Sequence, residues 1–107
     1  MGEEHSTALS EARDLVAKLG GRLWRTHQEG QVRGDRGVPD AWFVCQRNEG
    51  KPHDPRPGKW VAAWYECKVT ERDKMTPEQL GFKAIAELAG MPVVVGHPAA
   101  IADFLGY

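Results

Sequence analysis

Trp60-Val61-Ala62-Ala63-Trp64-Tyr65-Glu66-Cys67-Lys68-Val69 is the stretch whose reading decides the fold. Its aromatic and β-branched run predicts a strand over 60–69. Side chains on a strand alternate faces with period two. Val61, Ala63, Tyr65 and Cys67 therefore share one face, and Glu66 and Lys68 the other. An acid and a base two residues apart at the end of an apolar strand are unusual. A buried charge is costly unless it is paired or bound to metal.

Working outward, Ala41-Trp42-Phe43-Val44-Cys45-Gln46 predicts a preceding strand. It is opened by Gly37-Val38-Pro39-Asp40. By parity Asp40 shares a face with Trp42, Val44 and Gln46. If the two strands pair as a hairpin, Asp40 and Glu66 converge at one end of the sheet. Cys45 and Cys67 then both fall on the opposite, core-facing side, as free buried thiols. Between the strands, Arg47 to Gly58 holds three prolines and two glycines and reads as a loop, either a surface connection or an excursion that reaches a partner.

Further out, Ala8, Ala12, Leu15, Val16 and Leu19 recur at helical spacing and predict a helix over Ser6–Leu19, stopped by Gly20-Gly21. Arg22 to Thr26 reads as a short strand, and Gln28 to Pro39 as a Gly-rich loop. Thr76 to Ala89 is expected to be a helix: Thr76 suits the N-cap, Pro77 the first helical position, and Gln79 completes a capping box. Pro92 to Gly96 reads as a buried strand, and 98–105 as a final short helix. The order α-β-β-β-α-β-α predicts an α/β fold, a mixed four-stranded sheet flanked by helices.

The 107 residues suit one domain, 1–107, that buries roughly 65% of the unfolded chain's surface. With 41% apolar and 27% charged residues the chain is globular rather than disordered. Its apolar runs are too short to span a bilayer, and MGEEHSTALSEA is too acidic and polar for a secretory signal, so a cytoplasmic protein is expected. His5, His27, His53 and His97 are scattered without ligand spacing. A net charge of -1 argues weakly against nucleic acid. The distribution softens that: Arg22, Arg25, Arg33, Arg36 and His27 are met only by Glu29 and Asp35, and Lys51, Arg56 and Lys59 form a second basic group. The tryptophans, Trp24, Trp42, Trp60 and Trp64, are expected as core or dimer contacts rather than base-stacking platforms.

Two carboxylates beside a lysine suit metal-assisted phosphodiester hydrolysis. Mg²⁺ takes hard oxygen ligands, commonly one or two carboxylates, and keeps several waters. A lysine can orient or deprotonate the attacking water, or neutralise developing charge. The main-chain carbonyl of Cys67 is a further candidate ligand. Taken singly, Asp before a strand is ordinary turn chemistry and Glu-x-Lys an ordinary surface ion pair. Their order, spacing and flanking elements together set them apart.

In that combination the chain resembles the VRR-NUC (virus-type replication-repair nuclease) family of the PD-(D/E)xK nuclease superfamily. Four segments carry the likeness, in order: Gly37-Val38-Pro39-Asp40-Ala41-Trp42, Trp64-Tyr65-Glu66-Cys67-Lys68, Met75-Thr76-Pro77-Glu78-Gln79, and Ala89-Gly90-Met91-Pro92-Val93-Val94-Val95. Leu23-Trp24-Arg25 before the Gly-rich loop also fits. The resemblance implies an α-β-β-β-α-β restriction-endonuclease-like core. It implies Asp40 and Glu66 as ligands of Mg²⁺ or Mn²⁺, Lys68 as the catalytic lysine and Gln79 as a further active-site residue. The capping box alone would also account for Gln79. A first-helix glutamate commonly joins such sites; Glu11 and Glu4 are both candidates, Glu11 preferred because Glu4 lies near a terminus. Arg25, His27, Arg33 and Arg36 are candidate DNA contacts bordering the site. By the same resemblance, stand-alone members are homodimers similar to Holliday-junction resolvases. That implies branched DNA as substrate, a phage or bacterial setting, and no small-molecule cofactor or membrane partner. Two other readings stay open: a binding module without catalysis on the same fold, and a cutting subunit that a partner targets.

Overall fold

A computed structural model describes residues 3–26, 37–70 and 72–107. Three helices and four strands follow one another as α1 (Glu3–Lys18), β1 (Arg22–Arg25), β2 (Ala41–Asn48), β3 (Pro57–Cys67), α2 (Pro77–Leu88), β4 (Val93–Gly96) and α3 (Ala99–Leu105). The strands form one sheet in the order β1-β2-β3-β4. The first three are antiparallel neighbours, and β4 lies parallel to β3 across the α2 crossover. This is the mixed, helix-flanked sheet that the element order predicts.

Alternation decides where the core sits. Ala41, Phe43 and Cys45 of β2 and Ala63, Tyr65 and Cys67 of β3 are all buried, and register sets Ala41 against Tyr65 and Phe43 against Ala63. This face is covered by Ala8, Leu9, Ala12 and Val16 of α1 and by Ile101 and Leu105 of α3. The stripe on α1 follows the i, i+3, i+4 spacing of one helical face. Arg47 reaches from β2 to α3, donating to the Phe104 carbonyl at 2.7 Å with its guanidinium over the Phe104 ring. Helix α2 lies on the other face, where Phe82 meets Trp64 edge-on.

Tyr65 is fully buried, and its hydroxyl donates to the Gly96 carbonyl at 2.8 Å, tying β3 to the end of β4. Tyr65→Phe should cost about 1–2 kcal/mol in urea unfolding, because the carbonyl is left without this partner. An unchanged midpoint and slope would show that water replaces the hydroxyl at no cost.

Two expectations need correction. Arg47 to Gly58 is loop only over 49–56: at its two ends β2 runs on to Asn48 and β3 begins at Pro57, with a register irregularity between Gln46 and Asn48. Proline is tolerated as the first residue of a strand, where its missing N–H is not needed. The short turn that remains is organised by Asn48, whose Oδ1 accepts from Gly50 N–H at 2.8 Å and Arg56 N–H at 3.0 Å. Nor is any tryptophan a core residue. Trp24, Trp42 and Trp64 stand in one cross-strand row on the face away from the core, Trp24 and Trp42 stacked at 4.4 Å. Trp60 is 59% exposed.

Candidate active site

Asp40 sits one residue before β2, and Ala41 pairs with Tyr65. Continuing that antiparallel register by one step brings Asp40 opposite Glu66, the convergence expected from parity. The backbone holds Asp40 on both sides. Its carbonyl accepts from Thr26 N–H at 2.9 Å, and its carboxylate Oδ2 accepts from Cys67 N–H at 2.8 Å. The latter bond locks the Asp40 side chain onto the end of β3, directly beside Glu66. Glu66 is 2% exposed and is the buried charged residue among those described.

Lys68 lies just past β3, where its own N–H still bonds the Gly96 carbonyl at 3.0 Å. Its Nζ donates to Gln79 Oε1 at 3.2 Å and, more weakly, to the Lys74 carbonyl at 3.4 Å. Gln79 Oε1 also accepts from Thr76 N–H at 2.9 Å, while Gln79 N–H donates to Thr76 Oγ1 at 3.1 Å. The capping box and the contact to Lys68 are thus made by one side chain. The cap orients the amide, and the amide holds the ammonium.

Gly37 completes the enclosure. It has φ +89° and packs against the Glu78 backbone, so that a Cβ there would run into the Glu78 carbonyl. This close approach joins the segment that carries Asp40 to the first turn of α2, which carries Gln79. Below the site, burial raises the pKa of the Cys67 thiol and of the Tyr65 hydroxyl. The Asp40 charge adds to both shifts. Burial likewise raises that of Cys45. All three groups stay protonated at neutral pH, and the thiols are free, as expected.

Sequence reasoning passed over Asp73. Its Oδ2 accepts from Val69 N–H at 2.9 Å and Thr70 N–H at 3.2 Å, fastening the chain that leaves Lys68. Those bonds, the Val69 one foremost, lower its pKa, aided by His5 at 3.8 Å and by Lys68. The signal was an Asp placed to accept the free N–H groups of a tight turn. A depressed folded pKa means that the contribution is present above the ordinary Asp value of about 3.9 and is lost as pH falls through the folded value. The Tm difference between the wild type and Asp73→Asn should therefore be present at neutral pH and close in acid. A gap that is constant with pH would rule the linkage out.

Other expected residues stand apart. Glu11 and Glu4 line an open pocket with Thr70 and His97, beside the segment after Lys68. Among the described residues no three His, Cys, Asp or Glu side chains gather as a metal cluster. Arg25 is turned to α1, donating to the Ser6 carbonyl at 3.0 Å and to Ser10 Oγ at 3.4 Å. His27, Arg33 and Arg36 lie outside the described residues. No described helix is long and apolar enough to cross a membrane.

No family model and no curated protein matches the sequence. Among solved structures, a chain described as a VRR_NUC domain matches with a TM-score of 0.64. The match covers 97% of this chain and 95% of that one at 23% sequence identity. At that identity the likeness speaks for the fold. The chain has, along nearly its whole length, a fold similar to that of a VRR_NUC domain, in agreement with the resemblance carried by its four motifs.

Proposed function

We propose that the chain is a Mg²⁺- or Mn²⁺-dependent DNA endonuclease with Asp40, Glu66 and Lys68 as its active site. One observation carries the reading: Asp40, locked onto Cys67 N–H, meets the buried Glu66 at the strand end from which Lys68 departs. The donor set fits a hard divalent cation, since it offers only oxygen: two carboxylates and the Cys67 main-chain carbonyl. Such an ion would acidify a bound water and neutralise charge developing on the scissile phosphate.

The side chains have distinct tasks. Asp40 uses Oδ2 for Cys67 N–H, and Oδ1 has no hydrogen bond to the described residues. The carboxylate therefore presents one oriented oxygen. An ammonium has three donors. Lys68 gives two of them to Gln79 and the Lys74 carbonyl, which leaves the remaining one for the attacking water or a phosphate oxygen. Gln79 acts as a positioning residue through this contact.

Branched DNA, including four-way junctions, is the proposed substrate, with a homodimer placing two sites on it. Support for pairing comes from α2, which leaves Leu80, Ile85 and Leu88 exposed. Apolar surface of this kind marks an interaction face. The same face supports the second reading, a partner that targets the subunit.

The test is cleavage of labelled linear, flapped and four-way-junction DNA with Mg²⁺ or Mn²⁺. Metal-dependent cutting, lost in Glu66→Ala, is expected, with the junction preferred. Cutting that survives both Glu66→Ala and Asp40→Ala would remove the site assignment. A folded chain that cuts nothing would transfer the case to the partner-dependent reading.

A further inference from the structure

Helix α1 separates charge. Glu4 and Glu11 line the pocket near the candidate site, whereas Arg13, about 200° round the helix from Glu11, faces the opposite flank. There it borders a groove between α1 and the edge strand β1. Arg13, Arg22, Trp24 and Arg25 line that groove, on both sides of the edge strand, and no acidic residue does so among the described residues. In a chain of net charge -1, this is a local concentration of positive charge.

The arginines are arranged for an incoming anion. Among the described residues, Arg13 and Arg22 make no hydrogen bond and no ion pair. Arg22 instead lies over the Trp24 ring at 4.9 Å, and that ring is also stacked on Trp42. A guanidinium held through its flat face keeps its in-plane N–H groups available, and that fork matches phosphate. Arg25 adds charge while its own donors reach α1. The groove also leads to the candidate site: Arg25 pairs with Ala41, and the next residue, Thr26, bonds the Asp40 carbonyl.

We infer that the Arg13–Arg22–Trp24–Arg25 groove binds the sugar-phosphate backbone of a nucleic-acid strand and guides it to Asp40 and Glu66. The inference rests on the nuclease reading for its direction, but the binding can be measured without cleavage. Charge complementarity selects a polyanion, and a groove roughly 13 Å long, as a four-residue strand sets it, follows an extended backbone rather than a single ion.

The experiment is fluorescence anisotropy of labelled single-stranded and duplex oligonucleotides in EDTA. It compares the wild type, Arg13→Gln/Arg22→Gln, and Lys59→Gln as a cation elsewhere on the surface. The double variant should bind roughly 10- to 50-fold more weakly at about 0.1 M salt, with the salt slope reduced by about 0.7–0.9 per arginine. Lys59→Gln should bind like the wild type. Trp24→Leu keeps every charge but frees Arg22, and should weaken binding by less than the double variant. Whichever of the two oligonucleotides shows the larger loss is the strand form the groove takes. Equal affinity of the double variant and the wild type, an equal loss in Lys59→Gln, or no binding by the folded wild type overturns the groove. If the double variant loses binding while Asp40→Asn and Glu66→Gln leave cleavage intact, the site reading fails and the groove stands.

Discussion

Glu66→Gln is expected to slow DNA cleavage by roughly 100- to 1000-fold or more while the chain stays folded. The substitution keeps shape and volume and removes only the charge. Glu66 is 2% exposed, at the end of an apolar strand, so no gain in packing explains a charge there. Glutamine can fill the same space without the desolvation cost of a carboxylate, so stability should change by no more than about 1 kcal/mol. Asp40→Asn should behave alike. Its amide oxygen can still accept from Cys67 N–H, so the strand end stays closed while the anionic ligand is lost. The measurements are single-turnover cleavage with Mg²⁺ and with Mn²⁺, alongside circular dichroism and thermal melting. Both variants cutting at the wild-type rate would mean that these carboxylates have only a structural role at the strand ends.

Gly37→Val should be the most damaging single substitution outside the chemistry, costing about 2–4 kcal/mol and most of the activity together. Two independent obstacles meet at one residue. A φ of +89° is strained for any residue with a side chain, worst for a β-branched one. The Cβ would also strike the backbone of Glu78, at the first turn of α2. To relieve the clash, the segment 37–40 must separate from α2, which moves Asp40 relative to the Gln79–Lys68 pair. Urea unfolding reads the first effect and single-turnover cleavage the second. Gly81→Val is the control: nothing lies within 4 Å of its Cβ, and valine is no worse a helix former than glycine, so little stability should be lost. Equal losses at the two positions would show that the Gly37 contact is not what joins the loop to the helix.

The strand pair was legible for a stereochemical reason. Alternation with period two is a property of the extended backbone itself, so it placed Cys45 and Cys67 on one face, and Asp40 and Glu66 on the other, before any partner was known. The helix end at Thr76-Pro77-Glu78-Gln79 was legible for the same kind of reason, because a capping box closes within one turn. The ends of the β2–β3 connection were misjudged because proline and glycine report local freedom. The pairing that carries the strands out to Asn48 and Pro57 is made across the hairpin and by the Asn48 side chain. That the tryptophans lie outside the helix-covered core was not legible, because bulk and aromaticity do not say which face of a sheet the helices will cover.

By itself, then, the sequence determined the element order, the mixed sheet, the two faces of β2 and β3, and the choice of candidate site residues. All of these follow from short-range stereochemistry and side-chain type. Only the tertiary structure decided that Asp40 is anchored on Cys67 N–H, that Gln79 serves Thr76 and Lys68 at once, that Gly37 must touch Glu78, and that Arg13 and Arg22 share a groove. Asp40 with Cys67, Gly37 with Glu78, Lys68 with Gln79 and Arg13 with Arg22 each come from different elements or connections of the fold. Their geometry is set by how α1 and α2 dock on opposite faces of the sheet, which no local pattern encodes.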